Sequence, residues 1–216
     1  MLCHKDIHHP IPKNKMLLFV LQILSMAEND RCSYSYGLWN VQAKKIVRWV
    51  SIEKHRSELR RDEIGDFGCT PCVEDQIEIK LRNGITFTAC RHIAPVIEDA
   101  LNESIENNFT IVSVEGYRPT MTRGAVDEKG NRTVLSNHAF GAAFDINRAY
   151  NGLYNNCVQL GPQCNLIQGG HWSPDNPLSL TKDHPLVQNM TSLGFRWGGE
   201  IQGRQKDMMH FSKTGY

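Results

Sequence analysis

Cysteine placement sets the terms on which this chain can fold. Of seven cysteines, Cys3 stands alone near the start and six follow: Cys32, Cys69, Cys72, Cys90, Cys157 and Cys164. Between Cys3 and the rest lies Met16–Met26, MLLFVLQILSM, apolar except for Gln22 and Ser25. Lys5, Lys13 and Lys15 precede it, and Ser25-Met26-Ala27 supplies a small-x-small site. A basic stretch, a short apolar run and a small-residue site are the layout of a secretory signal peptide, expected over residues 1–27. A buried N-terminal helix is the other reading of the same run. Residues 28–216 keep an even set of cysteines, which an exported chain is expected to pair. Cys157 and Cys164 close a short loop and are the favoured pair. Cys69-Thr-Pro-Cys72 is expected in disulfides, with half a zinc site or a redox pair as alternatives.

Composition excludes several classes. Hydrophobic residues at 40% and charged residues at 22% describe a globular chain rather than a disordered one. The net charge is +1, and loss of residues 1–27, with three lysines and one aspartate, takes it to −1. Neither value leaves an electrostatic footprint for nucleic acid, so no nucleic-acid partner is expected. No apolar run reaches the roughly 18 residues of a membrane span. A secreted or periplasmic monomer of the cell envelope is expected, with no membrane span in the mature chain.

Residues 28–75 read as an N-terminal extension. Val41–Gly65 carries seven Lys/Arg and four Asp/Glu around sparse apolar positions and is expected as a surface helix. The main domain is expected over residues 76–216. Gln76–Leu81 alternates polar and apolar, Asn83-Gly84 is a strong hairpin signal, and Ile85–Ala89 returns. Ile93, Val96, Ile97, Ala100, Leu101 and Ile105 keep helical spacing. Thr110–Tyr117 is strand-like, 119–135 reads as a polar loop and 149–180 as an insertion. Leu186–Leu193 is a short helix stopped by Gly194, and short strands follow Phe195. The fold class expected is α+β, a small antiparallel sheet with flanking helices.

The chemistry-bearing residues gather in three segments: Glu115-Gly-Tyr117-Arg118, Ser136-Asn-His138-Ala-Phe-Gly141-Ala-Ala-Phe-Asp145, and Asp207-Met-Met-His210-Phe211. His138, Asp145 and His210 make a donor set of two imidazoles and a carboxylate, which suits a catalytic zinc with an open position. Asp207 is the candidate acid/base beside a metal-activated water. Residues three apart on one strand face opposite ways, so Asp207 and His210 require a turn or bulge between them. Arg118 offers donors for a carbonyl oxygen or carboxylate.

Taken together, S-x-H-x-x-G-x-A-x-D, then Trp197-Gly198-Gly199, then D-x-M-H-F resembles the VanY-like zinc peptidases. These are the LAS metallopeptidases, which include D-alanyl-D-alanine carboxypeptidases and L-alanyl-D-glutamate endopeptidases and share a hedgehog-like fold. Gly116-Tyr117-Arg118 fits the same pattern, and the resemblance spans about residues 76–216. It implies Zn2+ on His138, Asp145 and His210, catalysis by Asp207 with Arg118, and substrate contacts from Arg118, Ser136 and Tyr117. It implies a peptidoglycan or muropeptide substrate, with D,D-carboxypeptidase first and L-Ala-D-Glu endopeptidase as the alternative. A zinc-containing wall-binding module without activity is the non-enzymatic alternative. Trp197 is expected to pack against the site. Glu200-Ile-Gln after Trp197-Gly-Gly and the 149–180 insertion depart from the family pattern.

Overall fold

The computed structural model describes residues 30–216, so the signal-peptide expectation lies outside the described residues. Its first elements correct the surface helix expected within 41–65. β1 (Arg31–Asn40) and β2 (Lys45–His55) form an antiparallel hairpin. The cause is visible in β2: Ile46, Val47, Val50 and Ile52 are β-branched, and from Val50 to Lys54 half-buried positions alternate with exposed ones. β1 also pairs in parallel with β6 (Thr120–Val126), Gly37 opposite Thr120. β6 folds back on β7 (Arg132–Leu135), so the expected polar loop 119–135 is largely a second hairpin. The sheet order is β2-β1-β6-β7.

Residues 31–75, expected as an extension, are braced by bonds within the segment and tied to the rest of the chain through Cys69–Cys90. Disulfides join Cys32 to Cys72 and Cys69 to Cys90. Both cysteines of the Cys69-Thr-Pro-Cys72 motif are therefore bonded, though not to each other. Arg56 reaches Asp75 through two hydrogen bonds of 2.8 Å, and Lys54 meets the buried Glu63 at 2.6 Å. Burial raises the Glu63 and Asp75 carboxyls, but these partners outweigh it and hold both below their ordinary values.

β3 (Gln76–Lys80) and β4 (Thr86–Cys90) pair as the hairpin that Asn83-Gly84 signals, with Gly84 at φ +88°. α1 (Ala94–Glu106) has proline in its first turn and buries Ile97, Ala100 and Leu101 of the expected stripe, with Ala94, while Val96 is left exposed. α2 (Pro185–Ser192) stops before Gly194, whose φ of +87° suits a helix end. The core sheet runs β11 (Arg196–Trp197), β13 (His210–Ser212), β8 (Phe144–Ile146), β5 (Val114–Glu115). Phe144 is fully buried, stacks on Phe211 at 5.6 Å between centroids and meets Phe195 edge-on at 5.3 Å. The third sheet, β10-β9-β12, is built from Asn165–Gln168, Leu153–Asn155 and Gln205–Asp207. The segment expected as an insertion thus supplies β9 and β10, and its tip is closed by Cys157–Cys164 as expected.

The described residues are mixed α+β, as expected, with four small sheets among them in place of one. Among the described residues, no helix is long and apolar enough to cross a membrane.

Candidate metal centre

Three backbone devices bring His138, Asp145 and His210 together. His138 sits in a 3-10 turn, Asn137–Phe140, that ends at Gly141 with φ +62°. A Cβ on Gly141 would run into Gln76 and the Cys90 backbone, so only glycine lets the chain reverse this close to β4. The reversal feeds β8, where Asp145 pairs with His210 on β13. The seven-residue spacing of His138 and Asp145 is thus a turn followed by a strand.

The donor atoms converge. His138 Nε2 lies 3.1 Å from Asp145 Oδ1 and 3.2 Å from His210 Nδ1, and His210 Nδ1 lies 2.9 Å from Asp145 Oδ1. All three residues are buried. These separations approach the ~3.3 Å edges of a tetrahedron whose bonds are about 2.0 Å, the geometry of protein zinc. His138 donates Nδ1–H to the Gly116 carbonyl at 2.8 Å, which fixes the tautomer and turns the Nε2 lone pair toward the other two donors. Arg118 donates to Asp145 Oδ2 at 2.8 Å and to Glu115 Oε2 at 2.8 Å, and Arg148 also meets Glu115, at 3.0 Å. The chain therefore has a donor set that fits a divalent metal, with supports for two of its members already in place. Among the described residues these three form the one group of His, Cys, Asp and Glu close enough to hold an ion.

The electrostatics of these side chains agree with that geometry. Burial raises the Asp145 carboxyl, yet the charges and hydrogen bonds of His138 and His210 pull it well below the usual range. Burial lowers the His138 imidazole. Burial opposes the charged form of His210 too, but Asp145 outweighs it and raises that imidazole. Asp207 is pushed up to about 6, chiefly by burial.

Asp207 and His210 resolve the strand objection by belonging to different sheets. Asp207 ends β12 opposite Leu153 of β9, Met208 and Met209 form a turn, and His210 opens β13. Trp197 holds that turn by donating from Nε1 to the Met208 carbonyl at 2.8 Å, so it packs against the site as expected. Gly198 leaves room for it: a Cβ there would collide with the Asp207 carbonyl and stand 2.9 Å from its Cβ. Asp207 Oδ1 and His210 Nε2 are buried without partners, polar groups of the kind that a bound water or ligand satisfies.

These residues open on a cleft of about 450 Å³ lined by Arg118, Ser136, His138, Asp207 and His210. Ser136 is buried and its Oγ has no partner. Tyr117 is placed elsewhere: its hydroxyl donates to the Pro71 carbonyl at 2.8 Å, and it lines a different depression, beside Ser33 and Pro119. Sequence reading gave Glu115 and Asn137 no role, missed Arg148, and missed Trp39 and Ile46 of the β1–β2 hairpin as cleft walls. Their signals are weak, because each acts through contacts made only in the fold. A separate cavity of about 520 Å³, between the ends of α1 and α2, contains none of the donor residues.

Compared with protein families, residues 129–213 match the model described as D-alanyl-D-alanine carboxypeptidase. The match covers His138, Asp145, Asp207 and His210, and it bears out the resemblance to the VanY-like peptidases over that segment. No curated protein matches the chain, and no solved structure does.

Proposed function

We propose that this chain is an exported zinc metallopeptidase that hydrolyses peptidoglycan stem peptides, acting first as a D-alanyl-D-alanine carboxypeptidase. The observation that carries the reading is the convergence of His138 Nε2, Asp145 Oδ1 and His210 Nδ1 beside Asp207 in one cleft, within the segment that matches the peptidase family. The peptidase unit is residues 76–216, of hedgehog-like fold, with residues 31–55 contributing one cleft wall. Residues 1–27 are the signal peptide, and the three disulfides fit an oxidising compartment.

Zinc, when bound by His138, Asp145 and His210, supplies Lewis acidity toward the scissile carbonyl and lowers the pKa of a water from 15.7 to about 7. Asp207 takes the proton from the attacking water and passes it to the leaving amine. Its unpartnered Oδ1 and its value of about 6 in the metal-free chain suit a group that gains and loses a proton near neutrality. Arg118 orients Asp145 and stands at the cleft, where its cation stabilises the negative charge that develops on the carbonyl oxygen. Ser136 Oγ is a donor for the substrate.

Mass spectrometry of purified muropeptides incubated with zinc-loaded protein tests the reading, with Asp207→Ala beside it. Loss of one terminal D-alanine is expected, with Asp207→Ala retaining zinc and turning over about 10²–10⁴-fold more slowly. Release of the whole stem after its first alanine would identify the endopeptidase instead. Intact muropeptides after treatment with fully metallated protein would refute peptidase activity and favour a binding module.

A further inference from the structure

The cleft contains a second arginine with a different electrostatic history from Arg118. Arg118 is paired with Glu115 and Asp145, and Arg148 with the same Glu115. Arg123, on β6, lines the same cleft as His138 and Asp207, yet among the described residues no carboxylate lies within ion-pair distance of it. Its Nη1 donates instead to a neutral amide oxygen, Asn137 Oδ1, at 2.6 Å. The guanidinium keeps its full charge and the rest of its five donors.

Its position is indexed to the metal centre. Asn137 precedes His138 in the same 3-10 turn and is pinned from its other side, donating from Nδ2 to the main-chain oxygen of Tyr216 at 2.5 Å. Ser136 donates its backbone N–H to the Thr120 carbonyl at 2.9 Å, which sets the 136–138 segment beside β6. Ser136 is 7% exposed, and its unpartnered hydroxyl faces the cleft that Arg123 lines. An unpaired cation and an unpaired buried hydroxyl on adjoining segments match a group with two acceptor oxygens and one negative charge.

We infer that Arg123, with Ser136 Oγ, is the subsite for a carboxylate of the peptide substrate and so decides which bond of the stem is presented to Asp207. The inference rests on the peptidase reading above. The carboxylate has two possible sources, the terminal α-carboxylate of a D-alanine and the free carboxylate of the D-glutamate within the stem. The first makes the cleft a carboxypeptidase site, and the second makes it an endopeptidase site.

Steady-state kinetics on four stem pentapeptides separate these cases. One pair differs only in a C-terminal acid or amide, and the other only in D-glutamate or its amide. Zinc-loaded wild type, Arg123→Lys and Arg123→Gln are compared, with zinc content and melting temperature recorded for each. Wild type should prefer the acid of one pair by about 10–100-fold in kcat/KM, mostly through KM, the range of a charge-assisted hydrogen bond. Arg123→Gln should erase that preference while leaving the amide substrate within about threefold and the zinc content unchanged. Arg123→Lys should keep part of it, because a point charge replaces a fork. Equal losses on acid and amide would mean that Arg123 only positions Asn137, and would overturn the inference. So would a wild type indifferent to both pairs. A metallated wild type inactive on all four peptides would overturn the peptidase reading and this inference together.

Discussion

The Gly116 carbonyl takes the Nδ1–H of His138, so only Nε2 remains to meet a metal. This kind of assignment was half legible in the sequence. His138, Asp145, Asp207 and His210 stand out by type and by motif, whereas Gly116 acts through its backbone and Glu115 through Arg118, which no residue-type pattern reveals. Tyr117 shows the converse, a motif residue whose hydroxyl is spent on Pro71. Asp207 yields a pH prediction for the metal-free protein. Its value rises from the ordinary 3.8 to about 6, so the folded state holds this proton more tightly than the unfolded chain. That contribution to stability is fully present below about pH 4 and is lost as pH rises through 6. Asp207→Asn removes the cost of the buried charge. In chelator-treated protein at pH 8 it should raise denaturant-derived stability by about 1–3 kcal/mol, with the difference closing below about pH 4. An unchanged difference across that range would contradict the burial of Asp207.

Elements with local signals were read correctly. The Asn83-Gly84 hairpin, α1 and α2 are each specified by turn chemistry or helical spacing within a dozen or so residues. β1, β2, β6 and β7 were not, because that sheet's order joins segments about 80 residues apart and β2 carries charges that mimic a solvated helix. The β12–turn–β13 unit was legible as a need and invisible as a structure. Trp197 and Gly198 explain it, one by bonding the Met208 carbonyl and the other by leaving space for Asp207. Gly198→Ala should therefore displace Asp207 while sparing the three metal donors. The expected result is full zinc stoichiometry with kcat reduced at least tenfold. Loss of zinc with activity in proportion would show that the turn instead supports the metal itself.

For the whole molecule, Cys69–Cys90 stitches residues 31–75 to β4, Cys32–Cys72 closes that segment on itself, and the β1–β2 hairpin reaches the cleft with Trp39 and Ile46. The cleft thus lies between a segment inside the family match and one outside it, which is why family resemblance alone could not outline it. Loop closure makes the bonds unequal. Cys69–Cys90 spans 21 residues and Cys157–Cys164 only 7. Replacing the first pair by serine should cost about 3 kcal/mol and the second about 2 kcal/mol, as read by denaturant unfolding. An inverted ranking would show that strain or residual structure dominates. On the function proposed above, a metal on His138, Asp145 and His210 makes this molecule a peptidase. This is tested most directly by assaying muropeptide hydrolysis in chelator-stripped protein before and after one equivalent of zinc is returned. No hydrolysis is expected without zinc, with recovery at one zinc per chain. Hydrolysis that survives complete removal of metal, or that fails to return with zinc bound, would contradict it.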